Sequence, residues 1–197
     1  MFINTQNIIN YLLILPLFGI LSLLLIPSWN HLLLKKTALL FSSLTFILSI
    51  FLWIWFNAAL GQFQYTSKLI WISSLNLNFT IGIDGISLFF ILLTTLLIFL
   101  CLLVSWGTIK QNLKLYLISF LLLEFFLIGV FCVLDLLLFY IFFESVLIPM
   151  YLIIGFWGSR ERKIRAAYFF FSLYFIRICI NAISCFIHIL SNRNYRF

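Results

Sequence analysis

Two carboxylates of this 197-residue chain lie inside long apolar runs: Glu144 in "FYIFFESVLIPMY" and Glu124 in "SFLLLEFFLIGV". If these runs cross a membrane, each charge at the bilayer centre costs about 2.5–3.5 kcal/mol to insert. A side chain kept at that cost is by default a candidate for function. Both residues are therefore candidates for chemistry within the membrane.

Glu144 is followed five residues later by Pro149. Proline offers no N–H to the carbonyl one turn before it and kinks a helix, so the backbone near Glu144 is expected to be loosened and polar. A buried carboxylate takes up a proton when no cation is near and gives it up when a lysine approaches. This is the chemistry of a proton relay, and the alternative is a structural hydrogen bond to a neighbouring helix.

Glu124 is a possible second relay, and a packed, protonated carboxyl group that bonds a neighbouring helix explains it equally well. Asp135 and Asp84 each precede an apolar run, where capping the helix N-terminus is the expected role. The chain has two histidines, His31 in a predicted loop and His188 near the end of the sequence. A haem site with two histidine ligands inside a helix bundle is therefore not supported. Since nucleotide and flavin motifs are also missing, we expect the chain to bind no cofactor and no metal.

The composition of the chain indicates what kind of element carries these carboxylates. Hydrophobic residues make up 65% of the chain and charged residues 9%, against about 45–50% and about 25% in soluble domains. This indicates an all-α integral membrane protein with about six crossings of roughly 20 residues each. The predicted crossings are Ile8–Pro27, Thr37–Phe56, Ile86–Trp106, Leu115–Leu134, Leu136–Trp157 and Ala166–Leu190.

The segment between the second and third crossings has a different pattern. In "KLIWISSLNLNFTIGI" apolar and polar residues alternate, which is typical of strands. We predict a small extended hairpin that lies on the membrane face.

The distribution of basic residues among the loops predicts how the helices are oriented across the membrane. The first, third and fifth loops hold eight Lys and Arg, and the second and fourth hold Lys68 alone. By the positive-inside rule the odd loops face inward and the N-terminus faces outward. The fifth loop holds the most basic residues: Arg160, Arg162, Lys163 and Arg165. We predict that they determine the membrane topology and, secondarily, bind acidic lipid headgroups. No basic stripe with exposed aromatics indicates a nucleic-acid surface.

The stretch "LDLLLFYIFFESVLIPMYLIIGFWGSRERKIRAAYFF", from Leu134 to Phe170, closely resembles the subunit 4 family of mitochondrial NADH–ubiquinone oxidoreductase, or complex I. "IGIDGISLFFILLTTLLIFL", from Ile81 to Leu100, is similar to the entry of that family's third helix. The resemblance covers most of residues 1–174 and is strongest after Phe79.

The resemblance implies an antiporter-like bundle, of whose fourteen helices about six are present here. It implies that Glu144 is the family's key glutamate, which exchanges protons with lysines on later helices. Those lysines have no counterpart in this chain. The implied partners are other complex I membrane subunits and the lipid bilayer, and the implied location is the mitochondrial inner membrane. NADH and ubiquinone are used by the whole complex. Two alternatives stay open: a subunit of a multisubunit cation/proton antiporter, and a truncated membrane fragment that pumps nothing.

The tail from residue 172 departs from the family pattern, so we divide the chain into residues 1–171 and an atypical tail, 172–197. Shifting the codons allowed for "FSLYFIRICINA" by one nucleotide permits the family string Leu-Leu-Gly-Ser-Val-Leu-Met-Leu. The same shift turns "NRNYRF" into Thr-Gly-Thr-Thr-Asp. The tail is therefore predicted to be read in a shifted frame, which sequencing the transcript tests. The alternative is a divergent sixth helix whose Arg177 pairs with Glu124 or Glu144.

Overall fold

The computed structural model describes residues 8–57, 59, 62–72, 77–109, 111–158, 169, 172 and 174. Within these residues, five stretches are long and apolar enough to cross a membrane. The elements are α1 (Ile8–Leu25), α2 (His31–Trp55), β1 (Gln64–Ile72), β2 (Leu77–Ile83), α3 (Gly85–Val104), α4 (Leu113–Cys132), α5 (Leu136–Ser145) and α6 (Leu147–Trp157). The predicted helical, multi-pass membrane fold is confirmed for five crossings. The predicted sixth, Ala166–Leu190, lies outside the described ranges apart from three single residues.

The first four helices form a bundle, and α4 contacts each of the other three. Helix α1 packs on α2 and α4, α2 packs on α3 and α4, and α3 packs on α4. At Gly19 of α1 the helices come so close that a Cβ atom would lie 3.0 Å from the side chains of both Leu121 and Phe41. The outer faces carry large exposed apolar side chains such as Phe18, Phe51 and Phe89. Such faces suit contact with lipid chains.

The hairpin predicted between the second and third crossings is present. Strand β1 pairs antiparallel with β2, with Ser67 opposite Ile81. Ile81 and Ile83 are fully buried, and the Leu134 amide donates to the Thr80 carbonyl at 3.0 Å. The hairpin is thereby fixed to the junction between α4 and α5.

Tyr65 ties the hairpin to the end of α2. Its hydroxyl donates to the Trp55 carbonyl at 2.8 Å, and its φ of 54° accompanies a register irregularity in β1. Burial raises the pKa of the Tyr65 hydroxyl. The hydroxyl therefore stays protonated, as its role as a donor requires.

Helix α2 begins earlier than the apolar pattern predicts, at His31 rather than at Thr37. The side chain of Asn30 caps it by accepting from the Leu33 amide at 3.4 Å. Lys35 and Lys36 therefore belong to the first turns of the helix and not to the loop. The prediction was too short because a hydropathy pattern discounts polar first turns, whereas a capping residue starts a helix whatever follows it.

The predicted fifth crossing is divided into two helices. Helix α5 ends at Ser145, and α6 begins at Leu147, where a second compact unit starts. Pro149 is the third residue of α6. Proline has no N–H, so the Ser145 carbonyl four residues earlier lacks its helical partner, at the point where the two helices are divided.

Candidate functional site

Glu124 lies at the centre of the bundle, on the face of α4 that packs against α2. Its side chain is fully buried. Its Oε1 lies 2.5 Å from the hydroxyl oxygen of Thr45 on α2. Its other oxygen, Oε2, has no hydrogen-bond partner among the described residues. The bundle therefore holds a carboxyl group whose hydrogen bonding is half satisfied.

Three hydroxyl residues of α2, Ser42, Thr45 and Ser49, lie along the helix face that meets α3 and α4. Each is at most 1% exposed. Ser49 shares a 3.0 Å hydrogen bond with Thr95 of α3. Thr45 and Ser49 also bond carbonyls of the preceding turn of α2, at 2.8 and 2.7 Å. Hydroxyl groups that bond their own backbone can be buried in an apolar bundle at low cost.

Sequence reasoning identified Glu124 but missed these hydroxyl residues. They stand three and four positions apart in "ALLFSSLTFILSIFLW", the spacing that puts residues on one face of a helix. A search for polar residues with helical spacing inside apolar runs would have found them. The partner Thr95 lies on another helix, and no pattern within α2 points to it.

Glu144 is the second-last residue of α5 and lies in the central part of the Leu136–Trp157 span. The Glu144 side chain is half-buried. The Val146 amide, just after α5, donates to the Phe142 carbonyl at 3.2 Å, as in a regular α-helix. Val146, between the two helices, keeps helical dihedral angles (φ −57°, ψ −29°). The Ser145 carbonyl that follows Glu144 receives no N–H from Pro149, four residues later.

The two glutamates lie on neighbouring helices that are joined by contacts of Phe142. Phe142 of α5 packs against Phe126 of α4, with ring centroids 6.4 Å apart. Glu124 is two residues before Phe126, and Glu144 is two residues after Phe142. Since the helices run antiparallel, both steps go the same way, by about 3 Å. The Phe142 ring also lies against Gly129, five residues after Glu124, so the two predicted sites lie within about one helical turn of each other on neighbouring helices.

Asp135 and Asp84 are helix caps, as predicted. The Asp135 carboxylate accepts from the Leu137 amide at 3.1 Å at the start of α5. The Asp84 carboxylate accepts from the Gly85 amide at 2.7 Å at the start of α3.

The basic side chains that the structure describes cluster where α1 ends. Lys114 donates to the carbonyls of Leu24 and Ile26, at 2.9 Å each. Lys35 donates to the Trp106 carbonyl and lies over the ring of the same residue. The predicted topology and lipid residues Arg160, Arg162, Lys163 and Arg165 lie outside the described residues. In the described part of the chain no group of His, Cys, Asp and Glu could hold a metal ion.

Comparisons with known proteins give this geometry a context. Residues 133–193 match the family model described as NADH:quinone oxidoreductase/Mrp antiporter, TM. The chain is 64% identical over 156 residues to NADH-ubiquinone oxidoreductase chain 4 of Chondrus crispus, a match that covers 79% of this chain and 32% of that protein. The protein of the same name in Arabidopsis thaliana is 52% identical over 160 residues, covering 81% and 32%.

The chain is related to NADH-ubiquinone oxidoreductase chain 4. It spans about a third of the length of these chain 4 relatives. A bacterial relative, NADH-quinone oxidoreductase subunit M of Rickettsia typhi, is 41% identical over 174 residues, which is 85% of this chain and 35% of that one. The resemblance predicted from the sequence is thereby confirmed.

The fold is also similar to a chain in the structure of respiratory complex I from Thermus thermophilus with bound NADH. The TM-score is 0.66 at 28% identity, over 81% of this chain and 31% of that chain. The match to the family model includes Glu144 but not Glu124. It also runs past Phe171 into the tail, whose shifted reading frame stays a prediction.

Proposed function

We propose that this chain forms part of a proton-translocation channel in the membrane arm of a proton-pumping NADH:ubiquinone oxidoreductase, with Glu144 as a proton-carrying residue. One observation carries the proposal: the segment that matches the family model contains a half-buried carboxyl group, Glu144, next to a backbone carbonyl that Pro149 cannot bond. The high identity to chain 4 proteins supports the same function.

The hydrogen bond missing at Pro149 gives Glu144 surroundings in which a proton can be exchanged. Helix α5 stops at Ser145, and Pro149 offers no N–H to the Ser145 carbonyl four residues before it. Water can bond to polar backbone of this kind, so a proton can reach the carboxyl from it. A cation that approaches Glu144 favours its release, and withdrawal of that cation favours uptake.

The cation comes from outside the described helices. The family's lysines on later helices have no counterpart in these residues, so a complete half-channel needs helices supplied beyond them. The isolated chain is therefore proposed to pump nothing by itself. Its proposed partners are the other membrane subunits of the complex, and no nucleic acid is among them.

The proposed location is the mitochondrial inner membrane, in contact with lipid. Arg160, Arg162, Lys163 and Arg165 are proposed to hold the third inward loop on the matrix side and to meet acidic headgroups. NADH and ubiquinone react elsewhere in the assembly, and this chain binds neither them nor any other cofactor.

A second candidate is a subunit of a multisubunit cation/proton antiporter, because the description of the matched family joins both classes. Affinity purification of the tagged chain from its native membranes discriminates them. The proposal predicts that NADH:ubiquinone reductase activity is purified with the chain. Purification with sodium/proton exchange and no reductase activity would favour the antiporter, and purification of the chain alone would favour a non-pumping fragment.

A further inference from the structure

The hydrogen bonds around Glu124 can be counted atom by atom. Thr45 Oγ1 lies 2.8 Å from the Ser42 carbonyl oxygen and 2.5 Å from Glu124 Oε1. A threonine hydroxyl has one hydrogen to donate. If Glu124 is a carboxylate, both neighbours of Thr45 are acceptors and compete for that hydrogen. One of the two contacts is then left without a proton.

A neutral carboxylic acid removes the conflict. Oε1 then carries the proton and donates to Thr45 Oγ1, while the Thr45 hydroxyl donates to the Ser42 carbonyl. Each short contact then contains one hydrogen. The remaining oxygen, Oε2, is an acceptor, and among the described residues it has no partner.

We propose that Glu124 is a second proton-carrying site: it holds its proton on Oε1 against Thr45 and exchanges it with water that reaches the unpartnered polar atoms beside it. The assignment of the proton stands on the geometry of the Thr45 contacts. Its use in proton pumping rests on the proposed function.

Proton release from this site has a defined balance. The O–H bond of the carboxyl group breaks, and the proton passes to a water molecule that reaches the site, giving a carboxylate and a hydronium ion. The Thr45 hydroxyl then turns from the Ser42 carbonyl to Oε1 and donates to the new negative charge. Proton uptake reverses both movements, so the orientation of the Thr45 hydroxyl depends on the protonation state of Glu124.

The unpartnered Ser42 hydroxyl shows that the polar region extends beyond Thr45. Ser42 is fully buried, and its Oγ has no hydrogen-bond partner among the described residues. It is one helical turn from Thr45 on α2. Two buried polar atoms without partners, on helices that pack together, suit the binding of water, which bonds otherwise unsatisfied groups.

Infrared difference spectroscopy of the full chain in lipid vesicles at neutral pH tests the assignment. The wild type is expected to show a carboxylic-acid C=O band that E124Q loses and E144Q keeps. T45V should shift the band to higher frequency because it removes a hydrogen bond, and T45S should restore it. The matched control is T94V, since the Thr94 hydroxyl bonds only its own helix, at the Ile91 carbonyl.

A band that persists in E124Q, or that shifts equally in T45V and T94V, would overturn the assignment. If E124Q does not fold, as judged by circular dichroism, the frequency shift in T45V tests the assignment instead.

The role of Glu124 in transport is tested by measuring the protons pumped per NADH oxidised in the assembled complex. E124Q is expected to lower this ratio several-fold and E124D to restore part of it. An unchanged ratio in E124Q would overturn the transport role and leave Glu144 unaffected.

Discussion

Gly129 determines how closely α5 can approach α4. A Cβ atom at this position would lie 2.5 and 2.6 Å from two ring atoms of Phe142. The ring also packs edge-on against Phe125, with centroids 5.7 Å apart, so it is held from a second side. The distance between the two helices that carry the glutamates depends on this contact.

We therefore predict that G129A destabilises the bundle. Inserting a methyl group into a packed contact costs about 1–3 kcal/mol, and F142L should recover part of the loss because it removes the ring. Unfolding of the chain in lipid or detergent micelles measures both effects. Gly107 provides the control, since a Cβ there meets nothing within 4 Å. Equal losses in G129A and G107A would contradict the role of the contact.

At the scale of elements, Lys114 joins the start of α4 to the end of α1. Its ammonium group donates to two carbonyls in the segment where α1 ends, those of Leu24 and Ile26. The last carbonyls of a helix have no partner within the helix, so a cation there stabilises them.

Replacing Lys114 should weaken this link. We expect K114M to lower the free energy of unfolding by about 1 kcal/mol, the net value of a hydrogen bond of this kind. The matched control is K36M, because Lys36 is exposed on the surface of α2 and should change stability little. The same unfolding measurement checks both variants. If K36M lowered the free energy of unfolding as much as K114M does, the loss would come from removing a positive charge and not from the hydrogen bonds of Lys114.

The elements differ in how far the sequence determines them. Apolar runs of about 20 residues predicted the helices because a membrane demands that length, and the alternating pattern before Asp84 predicted the hairpin. Pro149 predicted loosened backbone near Glu144, whereas the division of the fifth run into two helices at Val146 was not predicted, because hydropathy is continuous there. The Thr45–Glu124 pair was missed because it joins residues 79 positions apart, which requires knowledge of helix packing.

At the scale of the whole molecule, the charges define an orientation. Lys35 and Lys114 lie where α1 ends, and the hairpin lies at the opposite end, where Ile83 shares a core with Ile8. The basic end is predicted to face the matrix.

Cysteine labelling tests this orientation. In a chain whose four native cysteines are replaced by alanine, R162C should react with an impermeant thiol reagent only from the matrix side. Q62C, next to the hairpin, should react only from the opposite side. Labelling of R162C in intact mitoplasts, without permeabilisation, would reverse the predicted topology.

The central claim is that Glu144 carries protons. The most direct measurement is proton pumping coupled to NADH oxidation by the assembled complex with E144Q, with assembly verified on a native gel. Glutamine keeps the size and polarity of the side chain but cannot exchange a proton, so we expect normal assembly with pumping lowered at least several-fold. E144D should have a milder effect. D135N is the matched control on the same helix, because asparagine caps a helix as well as aspartate does. Pumping by E144Q at the wild-type level, in a fully assembled complex, would contradict the account.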